Sequence, residues 1–192
     1  MSGLLLAVLI ASLQLAPEAP TITVAVQDEA GVPRDWLRQA KAELVRIYRE
    51  VDVQIVLWDL NPSSSPGSGV AVLRNMLTVT IRQSPAALKG DLPWNAMGMA
   101  SGTGVERGRV AYVFYSRIEQ FTPLYRGRFL GHFMAHELGH LLLPQYSHSP
   151  TGLMRAQWNR EDLERAQHGL LPFTPEQATL IRSRATLLAS PP

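Results

Sequence analysis

Residues 22–26 alternate apolar Ile22, Val24 and Val26 with Thr23 and Ala25, a period of two that predicts a strand. From 35 to 50 the period lengthens. Trp36, Leu37, Ala40, Leu44, Ile47 and Tyr48 recur at helical spacing and predict a helix. Residues 51–60 return to alternation through Val51, Val53, Ile55 and Leu57 and read as a second strand. The run NPSSSPGSG at 61–69 is loop composition. Third and fourth strands are expected at 77–82 and 110–114, and a helix at 129–143, which ends because Pro144 cannot continue it. Asn159 caps a further helix to about Gln167, with Asp162 in its first turn and Gly169 just past its end. Thr174-Pro175-Glu176-Gln177 starts the last helix with a capping Thr, a Pro at the first helical position and a Gln three beyond the cap. Its apolar stripe is Leu180, Ile181, Ala185 and Leu188. Strands interspersed with helices in this order predict one α+β domain.

Composition narrows the function classes. A chain of 192 residues, 46% hydrophobic, can bury one good core. The net charge of +2 is too small to imply a polyanion, and no basic run interleaves with aromatics, so a nucleic-acid partner is not expected. The absence of Cys excludes disulfides and thiolate metal sites. Residues 4–15 form an apolar run of signal-peptide length, too short for a comfortable membrane span. We expect residues 1–19 to be a signal peptide and the protein to be secreted or periplasmic, although no Lys or Arg precedes the run and no clean A-x-A site follows it. The other reading of this run is a short first element of the fold. Residues 20–192 then form a single catalytic domain with an upper part, 20–143, and a lower part, 144–192.

The stretch HELGHLLLPQYSHSPTGLM, from His136 to Met154, carries the chemistry. His136 and His140 are four apart, so on a helix both imidazoles project from one face and can share a metal. Glu137 follows the first His and can reach a metal-bound water without ligating the metal. This is the H-E-x-x-H arrangement of zinc metalloproteases, in which the Glu acts as general base. A catalytic zinc needs three protein ligands and an open position, and His148 can return over the helix end as the third. Met154 follows after a Pro- and Gly-containing turn.

Over residues 136–154 the chain resembles the metzincin zinc peptidases, whose longer motif is H-E-x-x-H-x-x-G-x-x-H followed by a Met-turn. The resemblance implies a zincin-like fold: a twisted mixed sheet of four to five strands, an active-site helix and a small helical C-terminal subdomain. It also implies an apolar floor made by Met154 beneath the three His. The sequence departs from the motif, with Leu143 where the motif has Gly, Tyr146 where it has the third His, and His148 two residues late. A wider turn after Pro144 accommodates the two extra residues. Tyr146, Glu161 and Glu164 are the alternative third ligands. His132, one turn before His136, lies about 12 Å along the axis from His140 and cannot share its ion; it reads as packing or hydrogen-bonding beneath the sheet. His168, before Gly169 at a helix end, reads as structural. The stretch 91–109 has two readings, a strand bordering the cleft (by the resemblance) or a surface loop. Its SGTG at 101–104 lacks the Lys-Ser/Thr of a P-loop.

The function expected is a zinc-dependent endopeptidase acting on peptide or protein, with His136, His140 and His148 on Zn2+ and Glu137 as base. The alternative is a non-catalytic metal- or partner-binding protein on the same scaffold, against which the presence of Glu137 argues.

Overall fold

The computed structural model describes residues 18–60, 76–85, 96–101, 108–121 and 123–190. The apolar run at 4–15, the 61–69 loop and most of the SGTG run lie outside them. Five strands form one sheet: β1 Thr21–Asp28, β2 Gln54–Leu60, β3 Leu77–Arg82, β4 Gly98–Ala100 and β5 Val110–Phe114. Their order is β2-β1-β3-β5-β4. The first four in that order are parallel, and β4 runs antiparallel on the edge. The helices are α1 Arg34–Arg49, the short α2 Tyr115–Ile118, α3 Arg126–Leu142, α4 Arg160–Gln167 and α5 Pro175–Ala189. No described helix is long and apolar enough to cross a membrane.

Strand β2 begins later than its alternation suggests. Residues 51–53 instead close α1: the N–H groups of Val51 and Val53 both donate to the Tyr48 carbonyl, and Asp52 takes a left-handed φ of 55°. Val51 and Val53 are buried because this turn tucks under the core, and a buried turn mimics the period of a strand. The turn between β1 and α1 is held by Asp28, whose carboxylate accepts from the N–H groups of Ala30, Gly31 and Val32. Both C-terminal helices are capped by the residues expected, Asn159 and Thr174, and both caps are reciprocal boxes, Asn159 with Asp162 and Thr174 with Gln177.

The core lies between the sheet and the pair α1 and α3. Ile22, Val24 and Val26 of β1 and Val79 and Ile81 of β3 meet Leu44, Ile47 and Tyr48 of α1 and Leu130, Met134 and Leu138 of α3. The Tyr48 hydroxyl donates to the Ala135 carbonyl of α3 at 3.1 Å, which satisfies a buried polar group and fixes the two helices together. Helix α3 is buried on nearly every side. A helix in that position should be apolar all round. Arg126 and Arg128 in the first turn are half-buried and donate to backbone carbonyls; beyond them the exceptions on α3 are His132, His136 and Glu137, all buried, and His140, half-buried. Buried ionisable side chains are costly unless something compensates them, so they point to the site.

Candidate metal centre

His136 and His140 stand one turn apart on α3 with their Nε2 atoms facing each other at 3.2 Å. Two Zn–N bonds of about 2.0–2.1 Å at a tetrahedral angle put the nitrogens roughly 3.3 Å apart, so the pair has the separation a shared zinc requires. The tautomer of His136 is set from behind. Its Nδ1 lies 2.7 Å from the Leu153 carbonyl oxygen, which only accepts, so Nδ1 carries the hydrogen and Nε2 keeps its lone pair. His140 Nδ1 lies 3.2 Å from the Ser147 hydroxyl. Burial holds the pKa of His136 down to about 4 and that of His140 to about 3, so both rings are neutral at pH 7, the form that binds metal.

The loop that brings the third His back is built without the glycine of the longer motif. Leu143 leaves the helix in an extended conformation, with φ −90° and ψ 161°, and Pro144 follows. The left-handed residue is Tyr146, with φ 60°. The left-handed step thus falls three residues after Leu143, which sits at the motif's Gly position, and the additional chain completes a wider turn. Gln177 holds the loop in place: its Oε1 accepts from the Thr174 N–H, and its Nε2 donates to the Ser147 carbonyl and the Ser149 hydroxyl, both at 3.1 Å. His148 then meets the helical pair, its ring centre 4.7 Å from that of His140 and 5.6 Å from that of His136. The potential ligand atoms of the three imidazoles lie within 4.8 Å of one another. Among the described residues no other His, Asp or Glu group gathers in this way.

The other candidates lie apart from this cluster. Glu161 and Glu164 are exposed on α4 and pair with Arg165 and Arg160 of the same helix. Tyr146 points into solvent at 89% exposure on the cavity rim. His132 is fully buried one turn earlier, its Nδ1 3.0 Å from the Arg128 carbonyl and 3.5 Å from Glu43. His168 ends α4 as its cap.

Glu137 lines the same cavity as the three His. Strand β4 runs directly over it at Gly98, where an added Cβ would fall 2.5 Å from Glu137 Cγ and 2.4 Å from the Tyr112 carbonyl oxygen. Only a residue without a side chain lets the edge strand approach this closely. Glu137 is left 5% exposed, and burial pushes the pKa of its carboxyl up to about 8. The stretch from 91 to 109 therefore contains a strand at the cleft, as the resemblance implied. The cavity is about 630 Å³, ordinary for a ligand site. Besides the His and Glu137 it is lined by Met97 and Met99 of the β4 region and by Phe121, Phe133, Trp158 and Leu163.

Met154 is fully buried against α3, at the place where Gly139 offers no side chain; a Cβ there would meet its sulfur at 2.7 Å. Four contributors to the site had no signal strong enough to find them in the sequence: Gly98, the Leu153 carbonyl, Ser147 and Gln177. Gln177 is legible as a helix cap, but its second task depends on a loop 30 residues away.

No family model matches the sequence, and no curated protein matches it. Solved structures do. The fold is similar to archaemetzincin from Methanopyrus kandleri, with a TM-score of 0.55 and 16% identity over 88% of this chain and 98% of that one. It is also similar to metalloproteinase-II from Bacteroides fragilis, with a TM-score of 0.52 and 14% identity. That match covers 89% of this chain and 55% of the Bacteroides protein. At such identities the likeness is one of fold. The chain has the zincin-like α+β fold of zinc metallopeptidases, and it carries a His triad on the central helix and the loop that follows.

Proposed function

We propose that the protein is a zinc-dependent endopeptidase of the metzincin-like kind, with His136, His140 and His148 as metal ligands and Glu137 as general base. The observation that carries the reading is the 3.2 Å approach of two neutral imidazole nitrogens, one on a buried and one on a half-buried His, beside a third His and a buried carboxyl in one cavity. Three imidazoles suit zinc. Bound zinc supplies Lewis acidity, which polarises a substrate carbonyl and acidifies a water.

The chain's own residues do the rest. Glu137 accepts the proton of the water that attacks the peptide carbonyl carbon, and the C–N bond breaks as that proton passes to the leaving nitrogen. Burial raises the basicity of the Glu137 carboxyl, and the positive charge of a bound zinc would favour its ionised form, the form that accepts the proton. The substrate has a natural seat along β4, the antiparallel edge of the sheet, where an extended peptide adds as a further strand. Met154 serves as the apolar floor of a Met-turn in this reading. Residues 1–19 act as an export signal, and N-terminal sequencing of the protein recovered outside the cytoplasm tests that part.

Glu137→Ala is the direct experiment. The variant should keep about one zinc per chain and lose cleavage of an internally quenched peptide blocked at both ends, by about 10²–10⁴-fold. Parental turnover in the variant overturns Glu137 as the base. Zinc uptake without cleavage by the parent protein favours the non-catalytic metal-binding alternative.

A further inference from the structure

We propose that Trp158 is a positioning residue for the metal centre, its indole N–H anchoring the carbonyl on which His136 depends; the inference rests on the His triad being a metal site. The Leu153 carbonyl oxygen accepts two hydrogen bonds, one from His136 Nδ1 at 2.7 Å and one from Trp158 Nε1 at 3.1 Å. A carbonyl has two lone pairs, and both are used. The first bond orients a ligand. The second comes from Trp158, which is not one of the three imidazoles of the triad.

The indole bridges two parts of the site. Its ring stacks on Phe133 of α3, with centroids 4.4 Å apart and planes 17° from parallel, and meets the His136 ring edge-on at 6.4 Å. Phe133 lies three residues before His136, on the same side of the helix. One face of Trp158 is therefore fixed to the helix that carries two ligands, and its N–H to the turn that orients one of them.

Its neighbours hold the indole where it is. Asp162 accepts from Arg155 at 2.8 Å and from the Asn159 N–H at 2.9 Å, which clamps the chain on both sides of Trp158. The Leu153 N–H in turn donates to the Pro172 carbonyl at 2.7 Å. With the indole N–H removed, the Leu153 carbonyl keeps a single partner and can tilt, and His136 loses its fixed ring orientation. Outer partners of this type are worth about 10–100-fold in metal affinity.

Trp158→Phe tests this, because it keeps an aromatic ring against Phe133 and removes the donor. Zinc affinity of the full chain is measured by competition with a chromophoric chelator, and the visible spectrum of the cobalt-substituted protein is recorded. The expected result is a zinc Kd weaker by about 10–100-fold with an altered cobalt spectrum. A parent that binds zinc and a variant with the same Kd and spectrum overturn the role of Trp158 and leave the metal site standing. A parent that takes up no zinc overturns both. Should the variant not fold, NMR of the unmodified protein decides, with the Trp158 indole resonance assigned through its contacts with Phe133. Protection of that N–H from solvent exchange and a shift on zinc addition support the role; free exchange and no shift overturn it.

Discussion

Replacing Gly98 with Ala tests whether the edge strand and Glu137 are fitted to one another. The new Cβ would lie 2.4 Å from the Tyr112 carbonyl oxygen and 2.5 and 2.6 Å from Cγ and Cδ of Glu137, and Cβ atoms essentially never approach within 3.0 Å. Either β4 backs away by roughly half an ångström or more, or Glu137 swings aside; forced overpacking of this kind costs about 1–3 kcal/mol. The three-residue β4 should yield before α3 does, because the helix is buried nearly all round. For a chain of this size the cost corresponds to a Tm lower by about 2–12 °C. Displacing the base by about an ångström costs on the order of 10²-fold in rate. Elemental analysis, thermal unfolding and kcat/KM on a quenched peptide read the three quantities separately. The expected variant keeps one zinc per chain, melts earlier and cleaves about 100-fold more slowly. A variant with the parent's Tm and kcat/KM refutes the contact between β4 and Glu137.

Three further outcomes are expected. His136→Ala, His140→Ala and His148→Ala should each weaken zinc binding by at least about 100-fold, with Glu161→Gln and Glu164→Gln neutral, by chelator competition; the opposite ranking moves the third ligand to α4. Tyr146→Asn should raise Tm, by about 0.5–1 kcal/mol of stability, because Asn tolerates the left-handed φ of 60° that Tyr holds at a cost; a lower Tm means the Tyr side chain contributes more than its backbone loses. The metal-free protein should be most stable near pH 6.5. Burial holds His132 and His136 at about 4 and His140 at about 3, from 6.5, so the unfolded chain binds more protons below 6.5 and stability falls with acidification. Glu137, raised from 4.5 to about 8, holds a proton that the unfolded chain releases, so stability also falls as pH rises towards 8. Below 6.5 the three histidines outweigh the one carboxyl. A metal-free Tm that climbs between pH 6.5 and 8 contradicts the buried, protonated Glu137.

Local patterns carried most of the elements. β3 and β5 fall on their expected residues, α4 and α5 begin where their capping residues say they should, and α1 begins within a residue of where its helical spacing places it. These features depend on neighbours a few positions away, which a sequence displays directly. The order β2-β1-β3-β5-β4 depends on which strands find each other across long connections, and alternation contains no record of it. Strand β4 was ambiguous for the same reason: three residues centred on Met99 have no period to read, and Gly98 looks like loop composition until Glu137 is seen beneath it. At the site, the pair His136 and His140 is legible because helix geometry converts a spacing of four into proximity. His148 is legible only as a candidate, because its approach depends on the loop geometry around Tyr146 and on Gln177.

The late left-handed turn at Tyr146 has a consequence for how such sites diverge. A fixed count between the second and third His describes one loop solution to a problem posed in ångströms. Here the helix stop and the left-handed residue are separate positions, a proline-ended helix and a tyrosine, where a single glycine could do both. Dividing the two tasks frees the intervening residues to be inserted or exchanged while the imidazoles still converge. Chains that share this geometry can therefore be found by the distances among ring nitrogens when residue spacing would pass them over.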